Sequence, residues 1–237
     1  MIAINDTIIG YTTPLLHIEQ LHLDSGFVYV LIGKNGIGKS TFLRSINGEL
    51  NPLHGDILIQ GTSTRTLSIA ARAKTLSFTA AGFQGIPYLT TKEYVAMGRT
   101  PHTGILGKLN TEDEISVRTA LETTGIAHLS DRFTDQLSDG ERQLATIARA
   151  IAQQTPVILL DEPTAFLDYS NKRALMQTLI RIAKEENKCI VLSSHDIDIC
   201  LEIGVPILLV DQHQKRIYIA EENARKAEII QLAFGIE

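Results

Sequence analysis

The 237-residue sequence contains no tryptophan, and aromatic residues make up only 5% of it. That leaves little material for the stacking platforms on which proteins hold single-stranded nucleic acid. Positive charge is not in excess either. The 22 Lys and Arg against 27 Asp and Glu give a net charge of −5, which disfavours non-specific binding to a polyanion, so no nucleic-acid partner is expected. Cysteine is scarce: Cys189 and Cys200 lie in separate apolar segments without metal-ligand spacing, as small core residues of a protein in a reducing compartment. No apolar run approaches the ~18–20 residues that span a bilayer. The opening Met1-Ile2-Ala3-Ile4-Asn5-Asp6 lacks the basic start of a signal peptide. A cytoplasmic protein is expected, and any membrane role would come through a partner.

What the chain does have is alternation. Apolar runs at 2–9 and 15–23, separated by Gly10-Tyr11-Thr12-Thr13-Pro14, read as two strands. A third run, Phe27-Val28-Tyr29-Val30-Leu31-Ile32, precedes a helical stretch at 41–47 closed by Gly48. Residues 55–61 alternate like a strand, 68–74 suit a short helix and 75–79 a buried strand. From 80 to 107 the pattern breaks up around Gly82, Gly85, Pro87, Gly98, Pro101, Gly104 and Gly107, with one helical stretch at 91–97. A long loop-rich segment inside a domain is usually functional or mobile. Thr111-Glu112-Asp113-Glu114 has the form of a capping box, opening a helix whose apolar side is Ile115, Val117, Ala120 and Leu121 and whose stop is Gly125. After Leu137 a helix running to about Gln153 carries Leu144, Ile147, Ala148 and Ile151 on one stripe. Residues 156–160 are continuously apolar, as in a parallel strand buried on both faces. Helix 170–186, strand 188–193, helix Ile197–Ile203, strands 206–210 and 216–220 and a last helix at 222–234 complete the chain. The alternation is that of an α/β domain with a mostly parallel sheet.

Four stretches carry chemistry. The first is Gly33-Lys34-Asn35-Gly36-Ile37-Gly38-Lys39-Ser40-Thr41, a G-x-x-x-x-G-K-[ST] pattern between a strand and a helix. Glycines let backbone N–H groups turn inward around an anion, and the helix N-terminus adds partial positive charge. Lys39 would reach β- and γ-phosphates, and the Ser40 hydroxyl would ligate Mg²⁺. The second is Val157-Ile158-Leu159-Leu160-Asp161-Glu162, which puts two acids at the C-terminal end of a central strand, where open parallel sheets bind ligands. Asp161 suits a partner of Mg²⁺, and Glu162 a base that polarises attacking water.

The third is Leu137-Ser138-Asp139-Gly140-Glu141-Arg142-Gln143, locally a capping box from Ser138 to Glu141. It also presents a hydroxyl, a glycine and helix N–H groups outward, a second anion site. One nucleotide does not need two such sites from one chain; they make sense if two chains face each other across it. The fourth is Ser193-Ser194-His195-Asp196, where a histidine past a core strand can meet a γ-phosphate or simply belong to the fold.

Taken in this order, the four stretches resemble the ATP-binding-cassette (ABC) ATPases over essentially the whole chain, and the Leu137–Gln143 signature discriminates that family from other phosphate-loop proteins. The resemblance implies a P-loop NTPase core with an N-terminal antiparallel β subdomain and an inserted helical subdomain. The core would span about 1–80 and 155–237, and the helical insertion with the signature about 81–154. It implies ATP and Mg²⁺ as cofactors, His195 at the γ-phosphate, and trans contacts from Leu137, Ser138, Asp139, Gly140 and Glu141 of a second copy. Asp168, after Ala165-Phe166-Leu167, would belong to the D-loop linking the two sites. Tyr11 would stack on adenine, or be a turn tyrosine. The family's glutamine after the strand at 75–79, which contacts Mg²⁺ and water and relays movement to the membrane partner, is missing, since Ala80 and Ala81 stand there; either the loop is displaced by three residues and Gln84, the nearest candidate, takes that catalytic role, or the relay is altered. Asp139 stands where many members have glycine.

Tyr94-Val95-Ala96-Met97-Gly98-Arg99-Thr100-Pro101-His102 resembles the Gly-Arg-x-Pro-His segment of ATPases serving iron-siderophore, haem and cobalamin importers, or merely caps the helical subdomain. The reading is therefore an importer's ATPase subunit at the cytoplasmic face of the membrane. It would be held there by transmembrane permease subunits, with a substrate-binding protein as an indirect partner. A soluble cassette ATPase acting as a nucleotide-gated scaffold is the alternative. A small-molecule P-loop kinase is disfavoured by the signature and the lack of an acceptor site. No residue here names a cargo.

Overall fold

The computed structural model describes residues 1–104, 107–221 and 225–235. The strands are β1 (Ile2–Gly10), β2 (Pro14–Leu23), β3 (Val28–Ile32), β4 (His54–Ile59), β5 (Thr62–Ser63), β6 (Leu76–Thr79), β7 (Val157–Leu160), β8 (Cys189–Ser193), β9 (Ile207–Asp211) and β10 (Arg216–Ile219). The helices are α1 (Lys39–Ile46), α2 (Ile69–Thr75), α3 (Thr91–Ala96), α4 (Thr111–Thr123), α5 (Asp139–Ala152), α6 (Tyr169–Glu185), α7 (Ile197–Ile203) and α8 (Lys226–Phe234). Among the described residues the strands form one sheet, in the order β5-β4-β1-β2-β10-β9-β3-β8-β7-β6.

The run β9-β3-β8-β7-β6 is parallel throughout. Strands β3, β7, β8 and β9 are buried along their whole length, which is why they read as unbroken apolar runs. The other half is antiparallel, β1 pairing with β2 and β4, and β10 with β9. The two halves meet where β10 pairs antiparallel with β9, and β10 is joined to β2 by a single parallel bridge, Arg216 to His17. The fold is thus a mixed α/β sheet with a parallel core. The strand at 157–160 is not central: β7 lies next to the parallel edge strand β6.

Period-two alternation sends the core strands' side chains to two clusters. Val28, Val30 and Ile32 join Ile158 and Leu160 beneath α3–α7, and Tyr29 and Leu31 join Val157, Leu159 and Phe42, Leu43 and Ile46 of α1. Helix α1 is thereby wedged between the parallel core and the inward faces of β1, β2 and β4.

The segment at 94–102 is a staple for the helical layer. Arg99 is 5% exposed and Asp113 1%. Arg99 Nε donates to Asp113 Oδ1 at 2.9 Å, and its Nη1 to Ala152 O at 2.6 Å and Gln154 Oε1 at 2.9 Å. His102 Nε2 lies 2.9 Å from Gln153 O. The Tyr94 ring stacks on Phe83 at 4.1 Å, with the Arg149 guanidinium 5.1 Å from its centre.

Helix α4 corrects two readings. Its N-cap is Asn110, in a reciprocal capping box with Asp113, rather than Thr111 with Glu114. Its buried positions are Asp113, Ser116, Val117, Ala120 and Leu121, while Ile115 is 47% exposed. The ion pair to Arg99 draws Asp113 inward and rotates the face. The last helix begins at Lys226 among the described residues; 222–224 lie outside them.

Candidate nucleotide site

Strand β3 delivers the chain to a glycine-bearing loop, and α1 starts directly after it. Gly38 is the N-cap, at φ +115°, where a Cβ would also come within 2.8 Å of Leu15 Cδ2. Only glycine fits that conformation and that approach. Among the described residues no side chain caps α1, and its first turn carries no acid, whereas α3, α4 and α5 each have a capping box. The N–H groups of the first turn of α1 are therefore left for an anion. Lys39, 6% exposed, folds back so that Nζ donates to Gly33 O at 2.7 Å and Lys34 O at 3.2 Å. Burial pushes its pKa down, and the charges of Glu162 and Asp161 pull it back up. Asn35, Gly36, Gly38, Lys39, Ser40, Thr41 and Glu162 line one cleft of about 330 Å³.

Asp161 and Glu162 follow β7. Asp161 is 7% exposed and its N–H donates to Thr79 O at 2.9 Å. Strand pairing of Leu160 with Leu192 sets the next residues, Asp161 and Ser193, side by side. Ser193 Oγ donates to Asp161 Oδ1 at 2.6 Å and accepts from Glu162 N–H at 2.9 Å. Glu162 has a left-handed backbone, φ +50°, and its Oε1 lies 2.7 Å from His195 Nε2. The structure thus brings Lys39, Ser40, Glu162 and, through Glu162, His195 and Asp161 to one cleft.

A second cleft, of about 480 Å³, shares no lining residue with the first. Ser138, Asp139, Gly140, Glu141 and Leu144 form one wall, and Phe166, Leu167, Asp168 and Asn171 the other. The two walls are in contact, since a Cβ on Gly140 would lie 3.3 Å from Leu167 Cδ2. Ser138 Oγ accepts from Glu141 N–H at 3.3 Å, and the Ser138 N–H donates to Glu141 Oε2 at 2.7 Å, which holds the Glu141 carboxyl below its ordinary pKa. The Ser138 hydroxyl keeps its own proton to donate. Leu137 is buried, and Asp139 pairs with Arg142. Asp168 caps α6, accepting from Asn171 N–H at 2.8 Å.

Two candidates stand apart. Gln84 is exposed and lines neither cleft; its neighbours hold the loop to the helical layer, Phe83 by stacking on Tyr94 and Gly85 by lying against Thr134 and Asp135. Tyr11, 60% exposed, sits in the β1–β2 turn, whose continuation, Leu15 and Leu16, packs against Gly38. Sequence alone assigns no role to Ser193, which stands in the fourth stretch beside His195. Its one local signal is a hydroxyl closing an otherwise apolar strand.

A family model described as ABC transporter matches residues 16–165, and a model described as AAA domain, putative AbiEii toxin, Type IV TA system matches residues 130–201. Among curated proteins, the petrobactin import ATP-binding protein FpuC of Bacillus anthracis is 35% identical, the alignment covering 100% of this chain and 88% of that one. The ferric enterobactin transport ATP-binding protein FepC of Escherichia coli is 31% identical over 91% of this chain and 80% of its own. Among solved structures, a dimer of the ATP-binding cassette MJ0796 in a post-hydrolysis state, bound to ADP and Pi, superposes with a TM-score of 0.79 at 25% identity. It covers 95% of this chain and 100% of that one.

Proposed function

This chain belongs to the ABC transporter family and is an ATPase of it; from that premise we propose that two copies enclose two ATP molecules and drive an importer for ferric siderophores or a related chelate. The observation that carries the proposal is the pair of disjoint clefts on one chain, phosphate loop with Glu162 and signature with D-loop. Each is half of a site, and a head-to-tail pairing of two copies completes both.

In this scheme Lys39 and the first-turn N–H groups of α1 hold the β- and γ-phosphates. Ser138 of the second copy donates its hydroxyl from the other side, with Leu137, Asp139, Gly140 and Glu141 shaping that wall. Glu162 polarises water, His195 meets the γ-phosphate, Asp168 links the two sites and Tyr11 lies against adenine. Mg²⁺ fits the donor set. The Ser40 hydroxyl is exposed beside the loop, and among the described residues Asp161 Oδ2 has no hydrogen-bond partner. A hard cation binding through one or two side chains, phosphate and water asks for no more. When bound it supplies charge for the phosphate oxygens. Glu162 takes the water's proton, and catalysis is otherwise positioning and electrostatics.

The permease would meet the loop that carries Gln84, where Ile86 and Tyr88 are 45% and 86% exposed. Movement of about 81–154 against the core is the power stroke, with Gln84 as its relay. No described helix is long and apolar enough to cross a membrane, in keeping with a subunit held at the cytoplasmic face through that permease. The cargo class rests on what the relatives are named for. Affinity capture from solubilised membranes tests the importer. A stoichiometric polytopic membrane protein whose contact is lost in a Tyr88→Asp variant supports it. Capture of a soluble complex alone points to a scaffold.

A further inference from the structure

We propose that Ser193 is a positioning residue for hydrolysis, fixing the candidate base Glu162 against the Mg²⁺-side carboxylate Asp161 through one hydroxyl. The inference rests on the roles given to those two acids above. Asp161 and Glu162 are adjacent in sequence, so the backbone joins them, but it does not fix their carboxylates. Glu162 leaves β7 with φ +50°, a conformation that carries a cost for any residue with a Cβ. Its N–H is held there by Ser193 Oγ at 2.9 Å. The same hydroxyl spends its single proton on Asp161 Oδ1 at 2.6 Å. Donor and acceptor are both used, and Ser193 is 0% exposed, so no water competes.

Two residues on, past the end of the same strand, His195 Nε2 lies 2.7 Å from Glu162 Oε1. The base is thereby gripped at both ends from β8 and the residues just after it, its main chain by Ser193 and its carboxylate by His195. A general base displaced by about 1 Å loses on the order of 100-fold in rate, and partners that orient a metal-side carboxylate are worth about 10- to 100-fold. Ser193 touches neither substrate nor metal in this arrangement and acts only through the two acids.

Thr and Val have nearly the same shape and differ by one hydroxyl, so Ser193→Thr and Ser193→Val impose the same crowding on the strand. Ser193→Ala removes the hydroxyl without crowding. The three purified full-length variants are compared with wild type by steady-state ATP hydrolysis and by ATP binding with Mg²⁺ and with EDTA. Ala and Val are expected to lower kcat by about 10- to 100-fold, with KM raised only several-fold. They should weaken ATP binding in Mg²⁺ several-fold while leaving the affinity in EDTA unchanged, and Thr should stay within about threefold of wild type on every readout. Equal impairment of Thr and Val, wild-type turnover in Ala, or loss of folding in Ala and Val alone would overturn the proposal; the last would make the hydroxyl a core hydrogen bond only. A wild-type chain without turnover, or a Glu162→Gln variant at full rate, would instead sink the assignment of the base.

Discussion

Replacing Arg99 with Met should destabilise the protein without touching the nucleotide site. The guanidinium makes three hydrogen bonds that join the start of α4 to the end of α5, and its partner Asp113 is almost wholly out of water. Removing one partner of a buried pair leaves the other uncompensated, at about 3–5 kcal/mol. The pair lies in the outer helical layer, and Asp113 still accepts from Asn110 N–H at 3.0 Å, so the lower end, about 3 kcal/mol, is expected. For a chain of this size that is a fall of roughly 6–12 °C in Tm.

The loss should also depend on pH. The Asn110 backbone hydrogen bond, and after it Arg99, hold the Asp113 carboxyl below its usual range against the pull of burial. A depressed carboxylate pKa stabilises above the unfolded value of about 3.9 and stops doing so as pH falls through the folded value. Without Arg99 the folded value rises, so the deficit should narrow as pH falls from the variant's folded value to the wild type's. Urea unfolding of wild type, Arg99→Met, Asp113→Leu and the double variant gives the cycle; the double should be less destabilised than the sum of the singles. ATP affinity should stay within about twofold, because the pair lines neither cleft. A single-variant loss under about 1 kcal/mol, the ceiling for an exposed pair, would refute the reasoning.

Lys39→Met should weaken ATP binding by about 10- to 100-fold, the worth of a hydrogen bond to a charged group. It should leave Tm unchanged or raised, because burial already disfavours the ammonium; calorimetry reads both. Ser138→Ala should cost about 1 kcal/mol of stability as a lost cap and Ser138→Gly only a few tenths. Both should lower turnover alike, by about tenfold, if the hydroxyl works on nucleotide rather than on the helix. In the isolated chain Gln84→Ala should leave turnover within about twofold, with any larger effect confined to the permease-bound enzyme; transport and turnover both untouched would end its candidacy. Cys189 and Cys200, buried and with thiols pushed up to about 12, should resist thiol reagents until the chain unfolds.

Much of this was legible in the chain because it is written locally. Continuous apolar runs mark β3, β7, β8 and β9 since each is covered on both faces, and the glycine loop and the Ser138 capping box are short-range patterns. What failed was settled at a distance. Asn110-x-x-Asp113 and Thr111-x-x-Glu114 are overlapping boxes of equal local merit, and the choice falls to Arg99 on another element. The role of Ser193 exists only once β7 and β8 lie in register. The place of β7 beside the edge, and the single bridge joining β10 to β2, follow from strand order, which no local pattern encodes.

The most direct test of the enclosed-nucleotide account is the mass of Glu162→Gln in solution, by light scattering with Mg²⁺ and ATP. Neutralising the base should slow hydrolysis by about 10²- to 10⁴-fold and hold the ATP-loaded state. The account predicts a particle of twice the chain's mass with ATP and one of single mass with ADP. A variant that binds ATP and remains strictly monomeric would contradict it.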